Sequence, residues 1–338
     1  MMKLSDFDYN LPKELIAQHP LKERDSSKML VLHKKTGAIE HKVFYNLPEY
    51  LSKNDLVVLN DTKVFKARLL GKRKGFTGKI ELLILKQTEK NIFECLVKPA
   101  KRFKPGTKLE FGNNGKIRAS VVNFERGLCF IEFDNNSLKD LDGAALTPLP
   151  PYIKRLPSPE DEARYQTIYA RAPGAIAAPT AGLHFTHSVI DSIKGAGADT
   201  AHITLHVGYG TFQSVKNDDI TKHKMHSEYF EIPQAAAEKI NKAKQANSRI
   251  LAVGTTSCRT LESAAALRRT KGETDLFIYP GYSFKMTDML LTNFHLPKTT
   301  LIMLVSAFGG YDFVVRAYKE AIEKGYRFYS YGDCMLIL

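Results

Sequence analysis

The pattern of hydrophobic and polar positions changes along the chain near residue 146. Before that point, short apolar runs are separated mostly by glycine, asparagine or proline, which is typical of short strands joined by turns. The runs that predict strands span 64–70, 79–86, 92–98, 107–111, 116–123 and 128–134. About six short strands at near-regular spacing favour a small antiparallel barrel.

The segment 146–151 reads Leu-Thr-Pro-Leu-Pro-Pro and is a predicted boundary, because proline continues neither a strand ladder nor a helix. Beyond it, the pattern alternates between helices and strands, which predicts an α/β layer structure. The predicted helices span 186–194, 233–246, 258–269, 299–308 and 311–324, and the predicted strands span 249–253, 275–279 and 327–338.

Two early segments have no place in the barrel pattern. A hairpin is predicted for 29–33 and 38–44, which flank a Lys-Lys-Thr-Gly turn, and a short buried strand for 55–59. We expect both to join the later domain, with the barrel as an insertion. The predicted organisation is a discontinuous α/β (α+β) domain of residues 1–61 and 150–338, with an inserted basic β-barrel domain of residues 62–149.

Composition narrows the class of protein. A chain of 338 residues, 43% of them hydrophobic, is long enough for two domains with sizeable cores. The longest aliphatic stretch, around 301–305, is far short of the roughly 20 residues that span a bilayer. The N-terminus lacks the basic start and apolar run of a signal peptide, so we expect a cytoplasmic protein with no membrane association. The four cysteines are widely spaced, without a Cys-x-x-Cys pair, which argues against a disulfide framework and a thiolate zinc site.

Charge points to a polyanionic partner. Residues 62–118 contain 16 Lys or Arg and four Asp or Glu, which accounts for nearly all of the formal net charge of +13. A lysine run alone is usually a solvated face, but a whole segment biased in this way indicates nucleic acid. The candidate RNA-binding residues are Lys72, Arg73, Lys74, Lys101 and Arg102.

Candidate chemistry is concentrated in the histidines. Seven of the ten lie between His184 and His295, in segments rich in glycine, threonine and phenylalanine. Any single histidine is more often a hydrogen-bonded core residue than a catalyst. Four similar segments together indicate loops that carry chemistry, since histidine titrates near neutral pH and glycine permits close approach to a ligand.

Two motifs leave alternatives open. His223, His226 and Glu228 could hold a metal ion, but no His-Glu-x-x-His framework is present, so we favour acid–base or substrate contacts and expect no metal. The segment Gly254-Thr-Thr-Ser lies between a strand and a helix, where free amides and hydroxyls can hold a polar ligand. Helix capping by Thr256 or Ser257 is the simpler interpretation of that segment.

Taken together, the motifs resemble the S-adenosylmethionine:tRNA ribosyltransferase-isomerases of queuosine biosynthesis. The resemblance covers nearly the whole chain, in ordered motifs that are long enough to be specific. It is carried by Asp8-Tyr-Asn-Leu-Pro, Leu15-Ile-Ala-Gln-His-Pro20, Val57-Val-Leu-Asn-Asp-Thr62, Ala67-Arg-Leu69, Leu149-Pro-Pro-Tyr-Ile153, Arg164-Tyr-Gln-Thr167, Ala178-Pro-Thr-Ala-Gly-Leu-His-Phe-Thr186, His206-Val-Gly, Gly210-Thr-Phe212, His223-Lys-Met-His-Ser-Glu228, Gly254-Thr-Thr-Ser, Thr292-Asn-Phe-His-Leu-Pro297, Tyr326-Arg-Phe and Gly332-Asp333.

The resemblance implies a reaction in which the ribosyl part of S-adenosylmethionine moves onto 7-aminomethyl-7-deazaguanine in tRNA. The product would be epoxyqueuosine-tRNA, with release of adenine and methionine. S-adenosylmethionine would then be a consumed substrate, with no further cofactor, tRNA would be the partner, and we expect a monomer. The family fold pairs an α/β domain with an inserted barrel.

The motifs supply the candidate site residues. Proton transfer is expected from the catalytic candidates His184, His226, Glu228, His295 and Asp333. We expect Glu228 to share a strand face with His226 and to orient its imidazole, and Phe185, Tyr282 and Phe294 to hold the sulfonium. The substrate-binding candidates are Asp61, Arg68, Thr180, Gly182, Phe185, His206, Gly208, Thr255, Thr256, Arg259, Tyr282, Asn293 and Phe294.

Two other functions remain open at this stage. A tRNA-binding protein without activity is disfavoured by the intact histidine and glycine motifs. Another S-adenosylmethionine-dependent RNA-modifying enzyme, such as a methyltransferase, is disfavoured because the chain has no Gly-x-Gly-x-x-Gly loop.

Overall fold

A computed structural model describes residues 2–99, 103–112, 115–125, 127–134, 141–212, 215 and 217–338. The chain forms two compact units. The larger consists of Met1–Lys63, Pro150–Arg155 and Ala163–Leu338, and the smaller of Val64–Leu149 and Leu156–Glu162. Relative to the expected boundaries, Thr62 and Lys63 belong to the larger unit and Leu156–Glu162 to the smaller.

The secondary structure agrees in type with the α/β and barrel patterns. The strands are β1 (Lys28–His33), β2 (Ala38–Val43), β3 (Leu56–Asn60), β4 (Thr62–Val64), β5 (Arg68–Arg73), β6 (Lys79–Gln87), β7 (Ile92–Lys98), β8 (Lys108–Phe111), β9 (Ile117–Glu125), β10 (Leu128–Phe133), β11 (Ala172–Ala175), β12 (Asp199–Leu205), β13 (Glu228–Glu231), β14 (Ile250–Val253), β15 (Lys271–Thr274), β16 (Met289–Asn293) and β17 (Cys334–Ile337). The α-helices are α1 (Leu141–Ala144), α2 (Pro159–Arg164), α3 (His187–Gly195), α4 (Gln234–Gln245), α5 (Gly254–Leu267), α6 (Thr300–Gly309) and α7 (Tyr311–Glu323). Short 3₁₀ turns span Leu4–Phe7, Lys13–Leu15, Arg24–Ser26, Phe44–Tyr50, Thr180–His184, Tyr209–Phe212 and Ile220–Lys222.

The larger unit is built on a nine-stranded sheet with the order β15-β13-β12-β3-β14-β16-β17-β1-β2. Its centre is parallel, since β12, β3, β14 and β16 pair in the same direction. The hairpin of β1 and β2 and the strand β3 belong to this sheet, as their patterns led us to expect. Every residue of β3, β14 and β16 is buried, as expected for parallel strands covered on both faces.

Alternating residues of the central strands feed two apolar cores, one on each face of the sheet. Val58 belongs to one core, and its neighbours Val57 and Leu59 belong to the other. This alternation follows from the two-residue period of a strand. The sheet therefore forms a rigid platform for the loops at its edges.

The smaller unit contains the predicted barrel. Its strands close in the order β10-β7-β6-β5-β8-β9, and the pairs are antiparallel. Along β6, buried residues alternate with more exposed ones, which is the pattern of a barrel wall. A Cβ atom at Gly71 would lie 2.5 Å from the Phe111 ring, so only glycine fits where β5 crosses β8.

Two predicted strands differ from the structure. The prediction of a strand at 275–279 was wrong. The strand in this region is β15, which ends at Thr274, and the backbone after it is hydrogen-bonded to side chains instead of to a neighbouring strand. Leu276 donates its amide to Thr274 Oγ1, and its carbonyl accepts from the Arg259 guanidinium. At the C-terminus, only Cys334–Ile337 is a strand, and residues before it form turns.

Helix α5 begins at Gly254, four residues earlier than predicted. Gly254 has φ +87°, a conformation that side chains rarely adopt, and this lets the chain pass directly from strand β14 into the helix. In the part of the chain that the structure describes, no single helix is long and apolar enough to cross a membrane. The pair α6 and α7 passes that test only together, with a bend of 114° between them.

Candidate active site

A cavity of about 310 Å³ lies in the larger unit, where strands β12, β14 and β16 end. The carboxyl edge of parallel strands is the usual position of ligand sites in α/β folds. The wall also includes the turn that follows β11 and the start of helix α5. The lining residues are Pro151, Tyr152, Lys154, Tyr165, Ala177, Ala178, Pro179, Thr180, Ala181, Val207, Gly254, Thr255, Thr256, Thr292, Asn293, His295, Leu296, Pro297, Thr299, Leu301, Tyr329 and Ser330.

Five of the predicted site residues lie on this wall. They come from three separate motifs and are Thr180, Thr255, Thr256, Asn293 and His295. Thr256 Oγ1 and Asn293 Oδ1 are buried and have no hydrogen-bond partner among the described residues. Buried polar atoms in proteins are nearly always paired, so unpaired ones on a cavity wall indicate contacts to a polar ligand.

His295 is the buried imidazole on the cavity wall. Its Nε2 lies 2.9 Å from Thr292 Oγ1, which leaves Nδ1 as the ring nitrogen available to a ligand. Its backbone is held on both sides, since the amide donates to Tyr318 Oη at 3.1 Å and the carbonyl accepts from the Tyr9 hydroxyl. Burial lowers the pKa of His295 to about 3, so the imidazole is neutral near pH 7 and one of its ring nitrogens carries a lone pair.

The structure does not place His184 on this wall. It is buried behind Asn293, with Nε2 3.3 Å from the Asn293 amide nitrogen and Nδ1 2.9 Å from Ser27 Oγ. Its ring lies 5.2 Å from that of Phe44. Burial, with smaller contributions from the charges of Arg24 and Arg327, lowers the pKa of His184 to about 4.

Asp333 is likewise outside the cavity wall and is engaged by the backbone. Its two carboxylate oxygens accept from the amides of Lys28 at 2.9 Å and Arg327 at 2.7 Å. Burial raises the pKa of this carboxyl group. Asp333 therefore joins the C-terminal turn to the start of β1, which is a structural role.

The expected pairing of His226 with Glu228 on one strand face is wrong. Strand β13 begins at Glu228, which is buried, whereas His226 precedes the strand and is exposed. Glu228 forms a buried ion pair with Arg259 and accepts the amide of Gly208 at 2.8 Å. The His226 ring packs over Gly210, where an added Cβ would come within 2.6 Å of it.

A second polar cluster lies at the same sheet edge, where β3 and β12 end. Asp61 binds the Arg171 guanidinium and accepts from Thr204 Oγ1 at 2.7 Å. His206 Nδ1 lies 2.8 Å from Thr62 Oγ1, and its ring stacks on Tyr229. Burial lowers the pKa of His206, so this cluster holds a second neutral imidazole.

The aromatic candidates need correction. Phe185 and Phe294 are completely buried in the two apolar cores, so neither can meet a sulfonium ion. The aromatic side chains that do line the cavity include Tyr152 and Tyr329, whose ring centroids are 4.1 Å apart. Tyr152 could have been found from the Leu-Pro-Pro-Tyr-Ile motif, which lies next to the predicted boundary.

The remaining candidates serve local packing or lie elsewhere. Gly182 packs against Tyr169, with too little space for a Cβ atom. Tyr282 Oη lies 3.3 Å from Glu262, away from the cavity wall. Arg68 belongs to the barrel and pairs with Glu81 at 2.9 Å.

The basic candidates lie at one end of barrel strand β5. Lys72 is exposed and 4.0 Å from Glu110, and Lys74 is exposed in the turn that follows. The Arg73 guanidinium stacks 4.2 Å from the ring centroid of Phe76, which is 56% exposed. Lys101 and Arg102 lie outside the described residues. Within the described ranges, no group of three His, Cys, Asp or Glu side chains is placed to hold a metal ion.

The larger unit is that of an α/β enzyme with its cavity at the carboxyl edge of parallel strands, and the smaller is a basic antiparallel barrel. The chain belongs to the queuosine biosynthesis protein family, whose sequence profile matches residues 4–337.

Individual relatives are similar over their full length. The chain is 52% identical to an S-adenosylmethionine:tRNA ribosyltransferase-isomerase of Clostridioides difficile (strain 630), and 49% identical to one of Acetivibrio thermocellus, over 99% of this chain and 100% of each relative. It is also similar to the crystal structure of an S-adenosylmethionine tRNA ribosyltransferase from Thermotoga maritima. That match has 38% identity and a TM-score of 0.58, and covers 99% of this chain and 100% of the other.

Proposed function

We propose that this protein transfers and isomerises the ribosyl moiety of S-adenosylmethionine onto 7-aminomethyl-7-deazaguanine in tRNA. The products are epoxyqueuosine-tRNA, adenine and methionine. The observation that carries this proposal is the full-length identity of about half the residues with relatives of that activity. The cavity supports it, because its wall combines a neutral imidazole, neutral tyrosine rings and unpaired polar atoms.

His295 is the base in this proposal. The sulfonium of S-adenosylmethionine acidifies the neighbouring C5′ hydrogens, and the free Nδ1 of His295 takes one of them. Adenine leaves C1′ with a proton, and the aminomethyl nitrogen of the RNA bonds to C1′ and loses a proton. The electron pair on C5′ then forms a bond to C1′ as the ring oxygen leaves C1′, and that oxygen displaces methionine from C5′, which closes the epoxide between C4′ and C5′. General-base catalysis of this kind typically contributes about 10²–10⁴-fold to a rate.

Tyr152 and Tyr329 take over the role first given to Phe185 and Phe294. Burial raises the pKa of both tyrosines, so their hydroxyls stay protonated and their rings neutral at working pH. A neutral aromatic face attracts a cation within about 6 Å of its centroid. Both rings line the cavity, where they can hold the sulfonium while the 5′ proton is removed.

The barrel is the proposed contact for tRNA, through the basic residues of β5 and the turn after it. S-adenosylmethionine is consumed as a substrate and no other cofactor is proposed. We further propose that the protein acts as a monomer in the cytoplasm, where both substrates are made.

One assay separates this function from its alternatives. The protein is incubated with labelled S-adenosylmethionine and tRNA that carries the aminomethyl precursor, and the small-molecule products are separated. We expect adenine and methionine in equal amounts with label in the tRNA. S-adenosylhomocysteine would indicate a methyltransferase instead, and tRNA binding without any product would indicate an inactive binder.

A further inference from the structure

The side-chain amide of Asn293, at the end of strand β16, is fixed in one orientation. Its Nδ2 faces three acceptors, the carbonyls of Tyr329 at 3.1 Å and Asp333 at 3.4 Å, and His184 Nε2 at 3.3 Å. Rotating the amide by 180° would place Oδ1 against two carbonyl oxygens, which repel it. The NH₂ group therefore faces inward, and Oδ1 is left without a partner among the described residues.

The tautomer of His184 agrees with this orientation. The Ser27 hydroxyl donates to the carbonyl of Arg24 at 3.4 Å, so Ser27 Oγ is free to accept from Nδ1–H of His184 at 2.9 Å. The lone pair then lies on Nε2 and accepts from Asn293. Only a neutral imidazole can do this, and burial together with the charges of Arg24 and Arg327 keeps His184 neutral by lowering its pKa to about 4.

We propose that Asn293 is a specificity-determining residue whose Oδ1 accepts a hydrogen bond from an N–H donor of S-adenosylmethionine. His184 is then a positioning residue that fixes the amide of Asn293, and it takes no part in proton transfer. This inference rests on the proposed function, since it assumes that S-adenosylmethionine occupies the cavity that Asn293 lines.

A substrate donor is the missing partner for three reasons. Asn293 is 2% exposed, so bulk water does not satisfy its oxygen. An unpaired buried carbonyl is unfavourable in the free protein, and a bound donor would remove that penalty. S-adenosylmethionine has two kinds of N–H donor, the exocyclic amino group of adenine and the α-ammonium of the methionine part.

Variants of His184 test the positioning role. Glutamine places an amide oxygen near the position of Nε2, so His184→Gln keeps the acceptor for Asn293, whereas His184→Leu removes it. We expect His184→Gln to keep the KM for S-adenosylmethionine within about threefold, and His184→Leu to raise it about 10- to 100-fold, as for loss of one buried hydrogen bond. The dependence of kcat on pH between 6 and 9 should be the same in His184→Gln and the wild type.

Three results would overturn the positioning role. If His184→Gln lost turnover as completely as His184→Leu, or lost a limb of the pH profile, His184 would be an acid–base catalyst. If folded His184→Leu kept the normal KM, the contact with Asn293 would not matter for binding. Release of adenine by the wild type shows in the same experiment that the proposed function itself holds.

Substrate analogues test the acceptor role without depending on the stability of His184→Leu. One analogue has purine in place of adenine, and the other lacks the α-amino group. We expect one of them to bind the wild type about 10- to 100-fold more weakly than S-adenosylmethionine, and to lose most of that difference in Asn293→Ala. The affected analogue identifies the donor. If neither analogue binds more weakly, or if the full difference persists in Asn293→Ala, Oδ1 is not the acceptor.

Discussion

His184 and His295 are both buried near the end of strand β16, but they differ in which ring nitrogens are hydrogen-bonded and in whether the ring borders the cavity. Both ring nitrogens of His184 are engaged by Ser27 and Asn293, whereas His295 uses only Nε2, for Thr292. The ring of His295 also borders the cavity, and its backbone is held at both ends by tyrosine hydroxyls. A proton acceptor needs a free nitrogen and access to the substrate, and His295 meets both conditions.

Replacement of His295 by glutamine tests this difference. His295→Gln keeps much of the volume and can still bond Thr292, but it cannot take a proton. We expect kcat to fall about 10²–10⁴-fold while the affinity for S-adenosylmethionine changes little, because the base acts mainly in the transition state. Rapid quench measurement of adenine release, with calorimetry of substrate binding, would check both parts. Near-normal adenine release by a folded variant would remove His295 from the chemistry.

The two buried histidines also predict how stability depends on pH. Their pKa values are about 4 for His184 and about 3 for His295, below the value of about 6.5 in an unfolded chain. The unfolded state therefore binds more protons below pH 6.5, and stability is lost as the pH falls. We expect the free energy of unfolding to drop by roughly 1.4 kcal/mol per pH unit for each histidine between pH 6 and 4.5. Urea titrations at several pH values should show a shallower slope in His295→Gln than in the wild type.

Sequence patterns predicted the type of element better than its limits. The helices near 187, 234, 300 and 311 lie within one or two residues of their predicted bounds, because their apolar period and capping residues are local features. The segment 275–279 has strand-like composition, but its backbone bonds to side chains of Arg259 and Thr274, which no local pattern reveals. Strand β12 was missed, although its apolar residues alternate.

At the tip of the hairpin between β5 and β6, an aromatic side chain is exposed beside cations. Phe76 is 56% exposed, with the guanidinium of Arg73 stacked on one face, and Lys72, Lys74 and Lys79 lie close by in the sequence. Such a group is suited to stacking with an unpaired base, which is worth about 1–3 kcal/mol per base.

We therefore expect Phe76→Ala to weaken tRNA binding by about 5- to 100-fold, with no change in its dependence on salt. Phe76→Tyr should bind normally, and Val122→Ala, at another exposed apolar position of the barrel, is the matched control. Filter binding at several salt concentrations would give both quantities. Normal affinity of Phe76→Ala would exclude stacking at this position while leaving phosphate contacts possible.

At the scale of the whole molecule, the sequence patterns predicted the α/β domain, the barrel and the family, but only part of the site. Thr180, Thr255, Thr256, Asn293 and His295 meet in one cavity, because strand ends and turns from distant parts of the chain share one sheet edge. Phe185 and Phe294 share those motifs and Asp333 lies in another, but all three are buried away from the cavity wall. A motif identifies a segment that takes part in the site. Only the orientation of each side chain shows whether that residue lines the cavity or supports the backbone around it.

The net charge of +13 lets the whole molecule attract RNA, so a test of the barrel must separate local contacts from overall charge. Replacement of Lys72, Arg73 and Lys74 by glutamate should weaken tRNA binding and reduce the steepness of its salt dependence. The reason is that a protein with fewer phosphate contacts releases fewer counterions when it binds. The matched control replaces three exposed lysines of the larger unit by glutamate and so changes the net charge by the same amount. These lysines are Lys53, Lys194 and Lys319. We expect the control to bind with a nearly unchanged salt slope. An equal loss of tRNA affinity in both triple variants would mean that overall charge, and not the barrel, accounts for the attraction. Normal tRNA binding by the barrel variant would assign the RNA contacts to the larger unit.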